Sequence, residues 1–202
     1  MKKPSRAFVL VLGLCLTAAL GLSGCDKLGP KPASFQNTDV TGLPYAQDFA
    51  LTDHHGKART LADFKGKVVV MFFGYTQCPD VCPTTMAEMA GVMKELGPLA
   101  EQVQVLFVTV DPERDTLALL AQYVPAFDAR FLGMRGDAAA TARVAKEFKV
   151  FYAKVPGKEP GSYSMDHTAG SYVFDKNGKV RLFLRHGQGA APIVHDIRQL
   201  LS

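Results

Sequence analysis

Apolar positions along the chain fall into two kinds of run. Val68–Phe73 (VVVMFF) is unbroken and Val103–Val110 is interrupted only by Gln104 and Thr109; both are rich in β-branched and aromatic residues, as strands buried on both faces are. Elsewhere apolar residues recur every three or four positions. Met86, Met89, Ala90, Met93 and Leu96 predict a helix with Pro83 in its first turn and a stop at Gly97-Pro98. Thr116–Tyr123 and Ala138–Phe148 predict two further helices, with a short strand at Phe131–Met134 between them. Such alternation implies βαβ units and places the chain in the α/β class. Upstream, Phe49, Leu51, a turn at His54-His55-Gly56, and Thr60 with Leu61 predict a small hairpin. Downstream come a Gly/Pro-rich loop at Pro156–Gly161, strands Ser171–Phe174 and Val180–Leu184 joined by Asp175-Lys176-Asn177-Gly178, and a helix presenting Ile193, Ile197 and Leu200 on one face. An antiparallel hairpin and a helix are thus expected to close the sheet.

The N-terminus has a different pattern. Lys2, Lys3 and Arg6 precede the apolar run Ala7–Leu20, and Leu22-Ser23-Gly24-Cys25 follows, which predicts a secretory signal over residues 1–24. The run, about 14 residues, is short of the ~20 needed to span a bilayer. Its end resembles a bacterial lipoprotein lipobox, which implies that Cys25 becomes the lipidated N-terminus and anchors the protein to a membrane. Asp26 resembles the signal that retains enterobacterial lipoproteins in the inner membrane, implying its periplasmic face. Residues 25–44, rich in Pro, Gly and polar residues, read as a tether, and the domain is expected over 45–202.

Composition changes little except through the leader. The chain has 202 residues, 48% hydrophobic and 21% charged, ordinary for one globular domain. Residues 1–24 hold three of the 23 Lys and Arg and no acid, so 20 basic residues remain against 19 acidic ones. A near-neutral domain gives no basis for nucleic-acid binding. Cysteine arithmetic is simpler still: Cys15 leaves with the signal and Cys25 is capped, which leaves Cys78 and Cys82. They face a compartment where disulfides persist.

Those two cysteines stand four apart in FFGYTQCPDVCPTTM, directly after the first buried strand. One helical turn would put their Cα atoms roughly 6 Å apart, inside the range of about 4.4 to 6.8 Å that a disulfide bridges. A helix start expected just after Cys82 would favour thiolates through its unpaired N–H groups and positive dipole end. Redox couple, metal clamp and structural bridge all remain compatible with this spacing. Thiolates select Cu(I) or zinc, and structural zinc usually takes a fourth protein ligand, which is not evident nearby. Met86, Met89 and Met93 have core spacing. His54, His55, His186 and His195 read as solvated, and Asp111, Arg114 and Asp115 read as supports of the site loops.

The cysteine block, the block Val108-Thr109-Val110-Asp111-Pro112-Glu113-Arg114-Asp115-Thr116, and Asp166-His167-Thr168 together resemble the Sco/SenC family over roughly residues 45–202. That resemblance implies a thioredoxin-like fold, a central mixed β-sheet flanked by helices. It also implies copper, as Cu(I) or Cu(II), bound by Cys78, Cys82 and His167. The implied role is assembly of the copper A site of cytochrome c oxidase, with subunit II of the oxidase as partner. His167 is expected on a loop before a strand, able to close over the cysteine loop. The alternative is a thiol-disulfide oxidoreductase in which Cys78 and Cys82 reduce the cysteines of the oxidase site. Redox thioredoxins differ in having two residues between their cysteines and usually a preceding Trp, whereas this chain has three between and no Trp. A peroxiredoxin would need Thr and Pro where Tyr75 and Met71 stand.

Overall fold

The two apolar, β-rich runs lie side by side at the centre of the sheet. The computed structural model describes residues 34–202; the signal over 1–24 and Cys25 lie outside them. Strand β4 (Val68–Gly74) runs parallel to β5 (Val103–Thr109), pairing from Val68↔Val103 to Gly74↔Thr109. Every residue of both strands is buried, which is why neither alternates. Each such Val, Leu or Phe contributes about 1.5–3 kcal/mol relative to an exposed side chain.

The other strands extend this pair in both directions. β6 (Leu132–Arg135) continues the parallel set beside β5, and β2 (Leu51–Asp53) with β3 (Ala58–Arg59) forms the outer hairpin. On the other side β9 (Gly170–Phe174) pairs antiparallel with β4, followed by β10 (Val180–Arg185) and β1 (Thr38–Asp39). The order is β1-β10-β9-β4-β5-β6-β2-β3, a mixed sheet. Helices α1 (Val81–Leu96), α2 (Leu117–Tyr123), α3 (Ala138–Glu147) and α4 (Ala190–Leu201) flank it. Met86, Met89 and Met93 line the buried face of α1, as their spacing requires. Among the described residues no helix is long and apolar enough to cross a membrane.

Three expectations need correction. First, the domain starts before Tyr45: Thr38 and Asp39 pair with Phe183 and Leu182, so part of the expected tether belongs to the sheet. The fully buried carboxylate of Asp196 fixes that segment, accepting the backbone N–H groups of Gln36 and Asn37 at 2.8 Å and the Asn37 side-chain amide at 2.8 Å. Second, His54 is buried, 8% exposed, where its Nδ1 accepts the Gly133 N–H at 2.9 Å. His195, half exposed, bonds to Asp196 at 2.8 Å, while the exposed His186 meets the Thr85 hydroxyl at 3.0 Å. Third, the Gly/Pro-rich loop is the tip of a two-stranded ribbon, β7 (Tyr152–Pro156) against β8 (Tyr163–His167), separate from the main sheet. The ribbon is largely exposed, with Met165 its one buried side chain among these strand residues, so it lacks the alternation that marks a half-buried strand.

Candidate metal centre

β4 ends at Gly74, the chain turns through residues 75–80, and α1 begins at Val81. The helix starts before Cys82, not after it. Cys82 sits in the first turn with its side chain at 0% exposure, and Cys78 lies ahead of the helix, partly exposed. Cys78 Sγ accepts the Cys82 backbone N–H at 3.4 Å, satisfying one of the free amides of a helix start. Pro83 follows within the same turn, where a missing N–H costs nothing.

A buried carboxylate fixes the beginning of the cysteine loop. Asp115, at 0% exposure, accepts the Thr76 N–H at 3.0 Å, the Thr76 hydroxyl at 2.6 Å and the Thr109 hydroxyl at 2.6 Å. Burial raises its pKa, and the bonds from Thr109 and Thr76 oppose that shift. Gly74 leaves room for the sulfur: a Cβ there would lie 2.8 Å from Cys82 Sγ and 2.8 Å from the Phe72 ring. A glycine ending a buried strand is the sequence sign of such close approach; the Thr76 and Thr109 hydroxyls carried no comparable sign.

His167 reaches the pair from the last residue of β8, not from a loop. Its Nε2 lies 3.5 Å from Cys82 Sγ. Its Nδ1 donates to the Thr168 carbonyl at 3.1 Å, which leaves the Nε2 lone pair facing the sulfurs. The rings of Phe72 and Tyr75 meet it edge-on, at 6.1 and 5.9 Å between centroids. Burial lowers the proton affinity of His167, opposed by the Thr168 carbonyl and Asp166, so neutral imidazole is favoured. The donor atoms of Cys78, Cys82 and His167 all lie within 4.8 Å of one another.

The Cys82 thiol does not behave as its helix position suggests. Burial pushes its pKa well up, and the Tyr75 backbone N–H only partly offsets this. Desolvation outweighs the dipole, so Cys82 holds its proton until a cation takes its place. Two soft sulfurs and one imidazole suit a soft, low-coordinate metal ion. They fall short of the four protein ligands of a closed structural zinc site.

Beside the donors runs an open groove of about 510 Å³, lined by Cys78, Pro79, Asp80 and the β8 residues Ser164–His167. Phe151, 64% exposed, stands on its edge.

Comparison with known proteins agrees with this geometry. The chain is 38% identical over 157 residues to the mitochondrial protein SCO2 homolog of Bos taurus, covering 77% of this chain and 59% of that protein. It therefore spans less than two thirds of that relative's length. The ScoI protein of Bradyrhizobium japonicum, solved with copper bound, is 41% identical, with a TM-score of 0.71 over 76% of this chain and 98% of that one. Apo Sco1 of Thermus thermophilus is 39% identical, with a TM-score of 0.74 over 85% of this chain and 100% of that one. Both solved proteins share the thioredoxin-like α/β architecture described above. With the SCO1/SenC family model matching residues 38–202, this chain belongs to the SCO1/SenC family.

Proposed function

We propose that this domain is a membrane-tethered copper carrier that takes one copper ion between Cys78, Cys82 and His167. It serves assembly of the copper A site of cytochrome c oxidase, with subunit II as recipient. The observation that carries this reading is the convergence of two sulfurs and an imidazole nitrogen within 4.8 Å. That the 41%-identical ScoI was solved with copper bound supports it.

In this reading the protein's own groups prepare the site. The Thr168 carbonyl fixes the His167 tautomer, and burial keeps the imidazole neutral. Loading displaces the Cys82 proton, so copper capture is coupled to proton release. Cys78, on the groove side, is the thiol a recipient reaches first. Lipidation at Cys25 would hold the domain at the periplasmic face of the inner membrane.

A second reading, thiol-disulfide exchange on the recipient, rests on that same asymmetry. A partly exposed Cys78 is placed to attack a disulfide, and a buried Cys82 is placed behind it to resolve the mixed disulfide. His167 separates the two. In cells lacking the native protein and grown at limiting copper, copper carriage predicts that His167→Ala and Cys78→Ser both fail to mature the oxidase. Near-normal maturation with His167→Ala, and failure with Cys78→Ser alone, would establish exchange instead.

A further inference from the structure

The third ligand stands on the part of the fold least tied to the sheet. Among the described residues β7 and β8 pair only with each other, and a lone two-stranded ribbon is marginal in water. Something must hold β8 where His167 meets the cysteines.

Arg114 occupies that junction. Its Nε pairs with Asp111 in its own loop, and Asp111 is 1% exposed at the side chain. Its Nη1 donates both to Gln77 Oε1, next to Cys78, at 3.0 Å, and to the Tyr163 carbonyl, at the start of β8, at 2.8 Å. The guanidinium lies 3.6 Å from the Tyr163 ring centroid and 5.7 Å from that of Tyr75. The Tyr163 hydroxyl completes a closed circuit by donating to Asp111 at 2.9 Å. One planar group thus touches the cysteine loop, the loop after β5 and the ribbon at once. A lysine ammonium, a single point charge without a flat face, cannot reproduce that set.

We infer that Arg114 is a positioning residue, a latch that holds the β7–β8 ribbon against the cysteine loop and thereby keeps His167 within reach of Cys78 and Cys82. It touches none of the donor atoms; it acts through Tyr163, four residues before His167 on the same strand. The inference rests on the copper reading for its consequence, since a latched ribbon gives three donors and a released one gives two. The ribbon is also held by the buried Met165, by the edge-on packing of His167 against Phe72 and Tyr75, and by an exposed Lys154–Glu113 pair at 2.6 Å.

The test uses the full-length reduced protein and two variants, Arg114→Lys, which keeps a cation beside Asp111, and Tyr163→Leu, which leaves the Arg114–Asp111 pair intact. In the metal-free arm, amide hydrogen exchange is followed by residue. The latch predicts that amides of residues 152–167 exchange about tenfold faster or more in both variants while those of β4 and β5 keep their protection. Unchanged ribbon protection, or an equal acceleration of ribbon and sheet, would overturn it. In the copper arm, Arg114→Lys should weaken Cu(I) binding about tenfold, as loss of a group supporting a ligand does, and by much less when His167→Ala is already present. An equal loss in both backgrounds would overturn the latch, because the effect would then not pass through His167. If the wild-type protein binds no copper, the copper reading fails, and the exchange arm alone decides the latch.

Discussion

Gly74→Ala probes the seat of Cys82 directly. The new methyl would lie 2.8 Å from Cys82 Sγ, 2.8 Å from one Phe72 ring carbon and 3.0 Å from one of Phe107, against about 3.5–4.0 Å for relaxed carbon contacts. All three neighbours are at 0% exposure, so none can swing into solvent. Overpacking of this kind costs about 1–3 kcal/mol, and the stiffer unfolded chain returns about 0.4–1 kcal/mol of it. A net loss of about 1–2 kcal/mol corresponds to a Tm drop of roughly 2–8 °C for a domain of this size. The displaced sulfur should also weaken Cu(I) binding by about tenfold. The assay is thermal unfolding of the reduced, metal-free protein by circular dichroism, paired with Cu(I) competition. Gly91→Ala is the control: it lies in α1, and its new methyl would have nothing within 4 Å. That variant should gain up to about 1 kcal/mol of stability through helix propensity and bind copper as the wild type does. Wild-type stability and wild-type copper affinity in Gly74→Ala would refute the placement of Cys82 against the end of β4.

Two further expectations follow from His54 and Cys25. Burial lowers the pKa of His54 below its ordinary 6.5, with His55 adding to the shift and Asp53 opposing it. Its stabilising contribution is therefore full above about pH 6.5 and is lost as pH falls through the lower folded value, where protonation breaks the bond from Gly133. Denaturant unfolding should show a smaller stability loss from pH 7 to 5 in His54→Asn than in the wild type, and equal losses would contradict this. Cys25→Ser should prevent lipidation and release the protein from the membrane fraction; an unlipidated variant that still fractionates as an integral membrane protein would show that the leader is an uncleaved helix.

The strands at the centre of the sheet were legible because they are buried on both faces, and a run such as VVVMFF has few other uses. The helix of Met86, Met89 and Met93 was legible for the complementary reason, one buried face at helical spacing. What escaped was held by side chains rather than by burial. The β7–β8 ribbon packs mainly through Met165 and the contacts of Tyr163, which leave no periodic trace. The segment before Tyr45 looks like a tether in composition, yet the single carboxylate of Asp196, some 160 residues away, fixes it. His54 does lie in the expected turn, but it read as solvated because its partner is a backbone amide in β6. At the site, the three donors were legible as motif blocks. The high proton affinity of Cys82 was not, because it depends on how deeply α1 starts beneath the surface.

The central claim is that two sulfurs and one imidazole nitrogen hold the same ion. Copper K-edge X-ray absorption of the reduced protein loaded with one equivalent of Cu(I), beside His167→Ala, tests it most directly. The account predicts two sulfur neighbours and one nitrogen neighbour in the wild type, with the imidazole signal lost in the variant and the sulfurs retained. A shell without sulfur, or one that His167→Ala leaves unchanged, would contradict it.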